Sequence, residues 1–262
     1  MSRFKNPVLL VGLAFLLSGC VPPGVSYRAN PRFQAQAQQI HTVAILPAEV
    51  KVYQIDAGGV REEIAEWSAQ ARTNVVSALE NELRSKMKTA VKIVSEESLI
   101  EEKAVLQETR ALYDAVSTMI LLHTYPDPNF PSRFFEEKQK NFDYSLGTEV
   151  GSLANGAEAL LFLDAQDHVW TAGRQALQAL GVILGIGAGV ATGVVIIPTM
   201  SGGTGVRAAL IDGATGDILW INAVGSGAGK DLRNPASASA IVSELFKDFP
   251  VSYGRRTEEE SR

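Results

Sequence analysis

The chain has 262 residues, of which 46% are hydrophobic, and its 24 basic and 29 acidic side chains give a net charge of −5. This length and composition predict one large globular domain, or one domain with additions. The acidic balance argues against a general electrostatic affinity for nucleic acid or for anionic lipid. The single cysteine, Cys20, excludes an intramolecular disulfide.

The first twenty residues have the organisation of an export signal that ends in a lipid-attachment site. Arg3 and Lys5 supply positive charge, and Val8–Leu17 is an uncharged apolar run that is too short to span a bilayer. The sequence Leu-Ser-Gly-Cys that ends at Cys20 is typical of a lipobox, where a bacterial signal peptide is cleaved and the new N-terminal cysteine is lipidated. We therefore predict a signal peptide over residues 1–19 and acylation of Cys20, palmitate included.

Lipid on Cys20 predicts both a membrane partner and a location. Each buried CH₂ contributes about 0.8 kcal/mol, so several acyl chains hold a protein at a membrane essentially permanently. Val21 follows the cysteine, and by resemblance to enterobacterial lipoproteins the absence of Asp there favours the outer membrane, with the protein on its periplasmic face. Lipidation also uses the only thiol, which excludes thiol catalysis.

The rest of the chain divides by composition. Residues 20–39 are rich in Pro, Asn and Gln, which predicts a lipidated tether, although part of it could also pack on the domain. Residues 40–253 form the predicted periplasmic α/β domain, which includes an apolar, glycine-rich segment at 175–206. The last residues, 254–262, are a charged tail.

The domain opens with alternating strand and helix patterns. Val43–Leu46 is a continuous apolar run, as expected for a strand that is buried on both faces, and Pro47 ends its ladder or marks a bulge. Apolar side chains recur at three- and four-residue steps over Val60–Lys88, which predicts a helix. Two more elements are predicted next, a strand at Val91–Val94 and a helix at Glu96–His123.

The second half of the domain completes the sheet. The predicted elements are a proline-rich loop at Tyr125–Arg133, a helix at Phe134–Gly156, strands at Glu158–Trp170, Thr204–Ile211 and Asp217–Val224, and a helix at Ala236–Phe249. Asp212–Gly216 has strong turn chemistry, with Gly216 suited to a positive φ. Asn234 can cap the final helix, with Pro235 at its first position. This order predicts a mixed α/β sheet with amphipathic helices packed on its faces.

The apolar segment 175–206 carries no charged residue. Two pairs of its glycines have the GxxxG spacing that lets helix backbones approach closely in a membrane, Gly181 with Gly185 and Gly189 with Gly193. The stretch Ala176–Ile197 is long enough to cross a bilayer. Five glycines, however, cost about 1 kcal/mol each relative to alanine in a helix. Two interpretations stay open: insertion in a membrane, or a buried segment or oligomer interface in which these four glycines mediate self-association.

Three short motifs resemble the curli-secretion-channel-like (CsgG-like, TolB-N-like) class of bacterial envelope lipoproteins. They are the opening strand Val43–Pro47, the helix around Trp67–Leu83, and the hairpin Asp212–Trp220 with the pattern D-x-x-T-G-x-x-L-W. The resemblance implies a small α/β domain after a lipobox, in an envelope accessory protein that assembles with itself or with partners. Channel activity is not implied, because the alternating transmembrane hairpins of the channel are not evident.

Candidate catalytic and metal-binding residues form no recognised pattern. The histidines lie far apart and outside any zinc motif: His41, His123 and His168. Asp164 and Asp167 lie close to His168 in the sequence. On an alternating strand, however, the two aspartates point to opposite faces, which argues against a metal site. Gly225–Lys230 resembles a phosphate loop, but Val224 and Asp231 stand where a Walker A loop needs Gly and Ser or Thr. We therefore predict no catalytic residue, no metal and no cofactor.

These observations favour a non-enzymatic outer-membrane lipoprotein that is accessory to envelope assembly or export. Its expected partners are the membrane, through lipid on Cys20, and a second copy or another envelope protein, but not nucleic acid. The aromatic loop Tyr125–Phe135 either contacts a partner or packs over the sheet edge. The alternative function is a periplasmic domain that binds a small ligand or a polysaccharide and has no role in assembly.

Overall fold

A computed structural model describes residues 27–87, 89–124, 141–173, 175, 203–226 and 229–249. Within these ranges a mixed eight-stranded sheet carries helices on its faces, so the predicted fold class is confirmed. The strands are β1 (Arg28–Ala29), β2 (Thr42–Ile45), β3 (Glu49–Ile55), β4 (Arg61–Glu63), β5 (Ala90–Ile93), β6 (Ala159–Trp170), β7 (Thr204–Asp212) and β8 (Ile218–Ser226). The α-helices are α1 (Phe33–Ala37), α2 (Ala65–Met87), α3 (Lys103–Thr124) and α4 (Pro235–Leu245), and 3-10 helices span Glu97–Leu99 and Thr148–Ala154.

Strand β6 lies at the centre of the sheet. One of its edges pairs in parallel first with β2 and then with β3, and its other edge pairs antiparallel with β7. Strands β2 and β3 therefore follow one another along the same edge of β6. Pro47 lies between them, where the sequence predicts that the strand is interrupted. The path through the sheet is β1-β8-β7-β6-β2-β5, and β4 lies beyond β3.

The predicted helix Val60–Lys88 begins later than expected, at Ala65. Residues Arg61–Glu63 form β4, which pairs antiparallel with β3. The physical reason is the free edge of β3, whose backbone groups gain partners when the chain turns back as a hairpin. The helix predicted from Glu96 likewise begins at Lys103, after the 3-10 helix Glu97–Leu99.

The predicted helix Phe134–Gly156 is wrong over 142–147, which are not helical. Phe142 adopts φ 46° and Gly147 adopts φ 82°. The amide of Leu146 donates to the carbonyl of Gly216 at 2.9 Å. Residues 142–147 therefore pair with the β7–β8 turn. The residues that follow them, Thr148–Ala154, form a 3-10 helix. Periodicity alone could not show that a distant turn would take its backbone hydrogen bonds.

Part of the predicted tether 20–39 belongs to the domain. Strand β1 pairs antiparallel with β8, and α1 buries Phe33 against the ring of Phe249, with ring centroids 5.7 Å apart. Phe33 is 1% exposed, so this single aromatic side chain explains why the segment packs. Residues 28–37 are therefore part of the domain, as the sequence left open for this segment.

Several predictions concern residues outside the described ranges. They are the signal peptide 1–19, Cys20, the loop Tyr125–Arg133, the charged tail 254–262, and the self-association glycines Gly181, Gly185, Gly189 and Gly193. Among the described residues, no helix combines the length and the apolar character that crossing a membrane requires.

The sheet has two differently covered faces. The closed face packs against α2 and α4, and its core includes Val43, Leu161, Leu210 and Trp220. The open face packs against α3 and the 3-10 helix Thr148–Ala154, and its core includes Leu160, Phe162, Ala209 and Ile221. Among the described residues, the strands extend beyond the helices that cover the open face, and the strand residues beyond those helices form the candidate site.

Candidate functional site

The open face changes from apolar to polar along β6 and its neighbours. Phe162 is buried, but the next residues on the same face are Asp164, Gln166 and His168, because side chains alternate along a strand. Across the sheet, β3 contributes Glu49, Lys51 and Tyr53 in register with these three residues. On the other side, Arg207 lies opposite Asp164, and Gly205 lies opposite Gln166.

An arginine ties the polar part of the open face to α3. The Nε of Arg207 donates to Asp164 Oδ2 at 2.7 Å, and its Nη2 donates to Asp114 Oδ1, on α3, also at 2.7 Å. The guanidinium also lies 5.2 Å from the ring centroid of Tyr113. The side chain of Arg207 is 13% exposed. Both carboxylates thus compensate one largely buried cation, and both bonds lie within the fold.

Burial controls the ionisation of this cluster. It raises the pKa of the Asp164 carboxyl above its ordinary value, and the hydrogen bond from Arg207 opposes this effect without cancelling it. Burial, together with the nearby Asp164 carboxylate, raises the pKa of the Tyr113 hydroxyl well above its ordinary value. For Arg207, burial alone would lower the pKa, but the bond to Asp164 raises it overall. At neutral pH Arg207 is therefore a permanent cation.

A groove lies on the open face beyond the Arg207 cluster, and we call it the open-face groove. It has a volume of about 700 Å³, and its lining includes Leu121, Asp164, Gln166, His168, Gly203, Gly205, Arg207, Ala223 and Gly225. Gly205 and Gly225 are directly paired across β7 and β8. A Cβ added at either glycine would meet no atom of the described residues within 4 Å. The floor is thus bare backbone with free space above it.

His168, which lines the groove, belongs to a stack of planar groups that continues away from it. The rings of Tyr53 and His168 stack with centroids 5.5 Å apart and an interplanar angle of 16°. Arg61, from β4, lies over the Tyr53 ring at 4.6 Å from its centroid. His168 Nδ1 lies 3.1 Å from the carbonyl oxygen of Gly203. Since a carbonyl can only accept, Nδ1 carries the hydrogen, and Nε2 is left as an acceptor in the neutral ring.

Asp167 serves the closed face instead. Its two carboxylate oxygens accept from Thr204 Oγ1 at 2.8 Å and from the amide of Leu232 at 2.9 Å. Burial raises the pKa of Asp167 above its ordinary value, and these two bonds partly oppose that effect. Asp167 therefore fixes the chain before α4 onto the sheet. The prediction that Asp164 and Asp167 point to opposite faces is confirmed.

The other residues that the sequence singled out are scattered. His41 precedes β2, far along the sheet from His168, and Gly225 belongs to the end of β8. Among the described residues, no three His, Cys, Asp or Glu side chains are grouped so that they could hold a metal ion. Trp220 is fully buried, as predicted for a core residue, and Trp67 is partly buried, with the Arg233 guanidinium 4.2 Å from its ring centroid.

Arg207, Gly205 and Gln166 belong to the site but were not predicted from the sequence. Arg207 is the first charge after the long uncharged segment, and apolar residues stand on either side of it in the strand. A lone charge in such a strand indicates a buried ion pair, because an unpaired buried charge is strongly unfavourable. The sequence therefore offered a sign that Arg207 is paired, but it did not identify the residues with which Arg207 pairs.

No protein-family model matches this chain, and no curated protein matches it significantly. Solved structures do show some similarity. The PelC dodecamer from Paraburkholderia phytofirmans has 12% identity and a TM-score of 0.31, over 79% of this chain and 86% of that one. Lipoprotein GNA1162 from Neisseria meningitidis has 8% identity and a TM-score of 0.28, over 79% and 95% respectively.

The LpoB C-terminal domain from Salmonella enterica has 12% identity and a TM-score of 0.25, over 76% of this chain and 96% of that one. TM-scores at this level do not establish a common fold, and identities at this level do not establish a common function. What the geometry itself defines is a mixed α/β domain with one sealed sheet face and one sheet face that ends in a polar groove. Membership of the curli-secretion-channel-like class stays a prediction.

Proposed function

We propose that this protein is a non-enzymatic lipoprotein of the bacterial outer membrane, held on the periplasmic side by lipid on Cys20, and accessory to envelope assembly or export. The observation that carries the proposal is the sequence Leu-Ser-Gly-Cys directly after a ten-residue apolar run. The strand Arg28–Ala29 of the α/β domain follows shortly after Cys20 in the sequence, which suits a protein held close to a membrane surface.

The arrangement of the polar residues supports binding and assembly over catalysis. Arg207 donates to Asp164 and Asp114, and Asp167 accepts from Thr204 and from the amide of Leu232. These groups hold α3 and the chain before α4 in place. General acid–base or nucleophilic catalysis needs a group that is positioned but available to the substrate. The strongest polar contacts of the described site are instead used inside the fold.

Lipid anchoring is tested by replacing the acceptor cysteine. We expect wild-type protein to fractionate with the outer membrane and to incorporate radiolabelled palmitate, because the acyl chains on Cys20 hold it there. Cys20→Ala should lose the label and appear in the soluble periplasmic fraction, or remain as an uncleaved precursor. Ser26→Ala, which lies outside the lipobox, is the matched control. Unchanged labelling of Cys20→Ala would remove this part of the proposal.

Self-association is tested on the glycines of the apolar segment. We propose that Gly181, Gly185, Gly189 and Gly193 allow close approach of two copies, so Gly185→Leu and Gly189→Leu should weaken oligomers of the lipidated protein. Cross-linking in intact envelopes and native mass measurement in detergent report the outcome. Ala188→Leu, which adds the same side chain between the two glycines, is the control. A strictly monomeric wild-type protein would contradict self-association.

A further inference from the structure

We propose that the open-face groove binds a neutral carbohydrate chain through its hydroxyl groups. The inference gives the ligand-binding alternative a site and a ligand class. Binding in the groove requires neither lipid on Cys20 nor self-association, so it can be tested separately from the envelope function. It rests on three properties of the groove: the shape of its floor, its hydrogen-bonding groups, and its charge.

The floor fits a flat ring. Gly205 and Gly225 form a cross-strand pair, and no described residue comes within 4 Å of the position that a Cβ would take at either glycine. Ala223, opposite Arg207, continues this low floor along β8. Neighbouring strands lie about 4.8 Å apart, so the four strands β3, β6, β7 and β8 span about 14 Å. The groove volume of about 700 Å³ lies inside the range of small-molecule clefts, about 300–1,000 Å³.

The hydrogen-bonding groups suit a ligand with many hydroxyls. Gln166 is exposed, and its amide makes no side-chain hydrogen bond to any described residue. His168 offers Nε2 as an acceptor, since its Nδ1 is engaged with Gly203. The carboxylate of Asp164 borders the groove and uses Oδ2 for Arg207. The groove therefore presents mainly acceptors together with one amide donor, and hydroxyl groups satisfy both kinds.

The charge of the groove argues against an anion. Arg207 is its cation, and the guanidinium already donates to two carboxylates at 2.7 Å. Its positive charge is therefore already compensated, which removes the electrostatic attraction for a phosphate or carboxylate ligand. An extended peptide is also disfavoured, because strands at the centre of a sheet use their backbone groups within the sheet and leave no ladder for strand addition. A neutral ligand with hydroxyls at its edges and C–H groups on its faces meets neither obstacle.

The test is a titration of the full chain, purified in detergent, with three neutral hexasaccharides: maltohexaose, cellohexaose and chitohexaose. We expect calorimetric binding of at least one of them. Gly205→Val and Gly225→Val should weaken that binding at least tenfold, because a branched side chain fills the floor. Both glycines lie in strands with free space around them, and valine favours strands, so the fold should persist. Circular dichroism and urea unfolding check this.

Three further variants sharpen the result. Gln166→Ala should weaken binding about three- to tenfold, as expected for one lost hydrogen bond. Ala90→Val adds a comparable group on β5, at the far edge of the sheet, and should bind like wild type. Cys20→Ala should also bind like wild type, which separates this inference from the lipid anchor. Failure of all three hexasaccharides to bind, or unchanged binding by both glycine variants, overturns the proposal.

Discussion

Asp164 and Asp167 are three residues apart on β6, yet one belongs to the open face and the other to the closed face. Asp167 is 1% exposed and uses both oxygens to hold Thr204 and the chain before α4. Asp164 pairs with Arg207 on one side and borders the open-face groove on the other. One face of β6 thus packs in the closed-face core, and the other face lines the open-face groove. The difference arises because α2 and α4 cover the closed face, whereas α3 covers only part of the open face.

The largest expected effect is on the closed face. Trp220 is fully buried against the rings of Phe246 and Phe249, at 5.0 and 4.9 Å between centroids. We expect Trp220→Ala to lower the free energy of unfolding by about 3–5 kcal/mol, because it leaves a cavity in a packed aromatic cluster. Urea denaturation measures this. Leu112→Ala, at an exposed position of α3, is the control and should stay within about 0.5 kcal/mol of wild type. Equal losses in both variants would contradict a sealed closed face.

A smaller effect is expected where α3 is tied to the open face. Arg207→Ala leaves Asp164 without its cation, and we expect a loss of about 2–3 kcal/mol, with faster amide exchange along α3. Arg84 makes an exposed pair with Glu80 on α2, so Arg84→Ala should cost no more than about 0.5 kcal/mol. If Arg207→Ala were as mild as Arg84→Ala, the ion-pair cluster would not be what holds α3.

The closed face also has a characteristic pH dependence. Because burial raises the pKa of Asp167 in the folded state, the folded protein binds the proton more tightly than the unfolded chain does. The contribution of this group to stability is therefore fully present below the unfolded pKa, and it is lost as pH rises through the higher folded pKa. The loss of stability in Asp167→Asn should accordingly shrink as pH rises from about 4. Urea titrations of both proteins over that range check the sign, and a growing difference would show that the folded pKa is lowered.

The smallest expected effect is at the start of α4. Asn234 Oδ1 accepts from the amides of Ala236 and Ser237, with Pro235 at the first helical position. We expect Asn234→Ala to cost about 1 kcal/mol. Asn234→Asp keeps the acceptor and should remain near wild type. Thermal unfolding of the two variants measures the difference, and equal melting temperatures would mean that the cap does not contribute.

The elements that the sequence predicted well are those with strong local signals. β2, β6, the β7–β8 hairpin and the capped start of α4 follow from apolar runs, turn residues and cap residues that lie within a few positions of each other. Gly216 shows the rule: it adopts φ 73°, and a Cβ there would lie 2.0 Å from the carbonyl oxygen of Gly147. The turn was predictable from the sequence, but its contact with Gly147 was not.

The elements that were missed depend on distant partners. β1 forms because β8 offers it an edge, β4 forms because β3 does, and residues 142–147 leave the helical conformation because the β7–β8 turn accepts and donates their hydrogen bonds. None of these partners can be identified from local periodicity. Local preference is worth a fraction of a kcal/mol per residue, so tertiary contacts decide such segments.

By itself, the sequence predicted a lipobox at Cys20, and it determined the apolar patterns of the sheet and the opposite directions of Asp164 and Asp167, because all three depend on short spacings. Only the tertiary structure decided that Gln166, Gly205 and Gly225 form one floor, and that Arg207 is shared by Asp164 and Asp114. Arg207 and Asp114 lie 93 positions apart. Strand register and helix placement bring them together, and both follow from burial of apolar side chains elsewhere in the domain. The open-face groove is therefore a consequence of how the core packs.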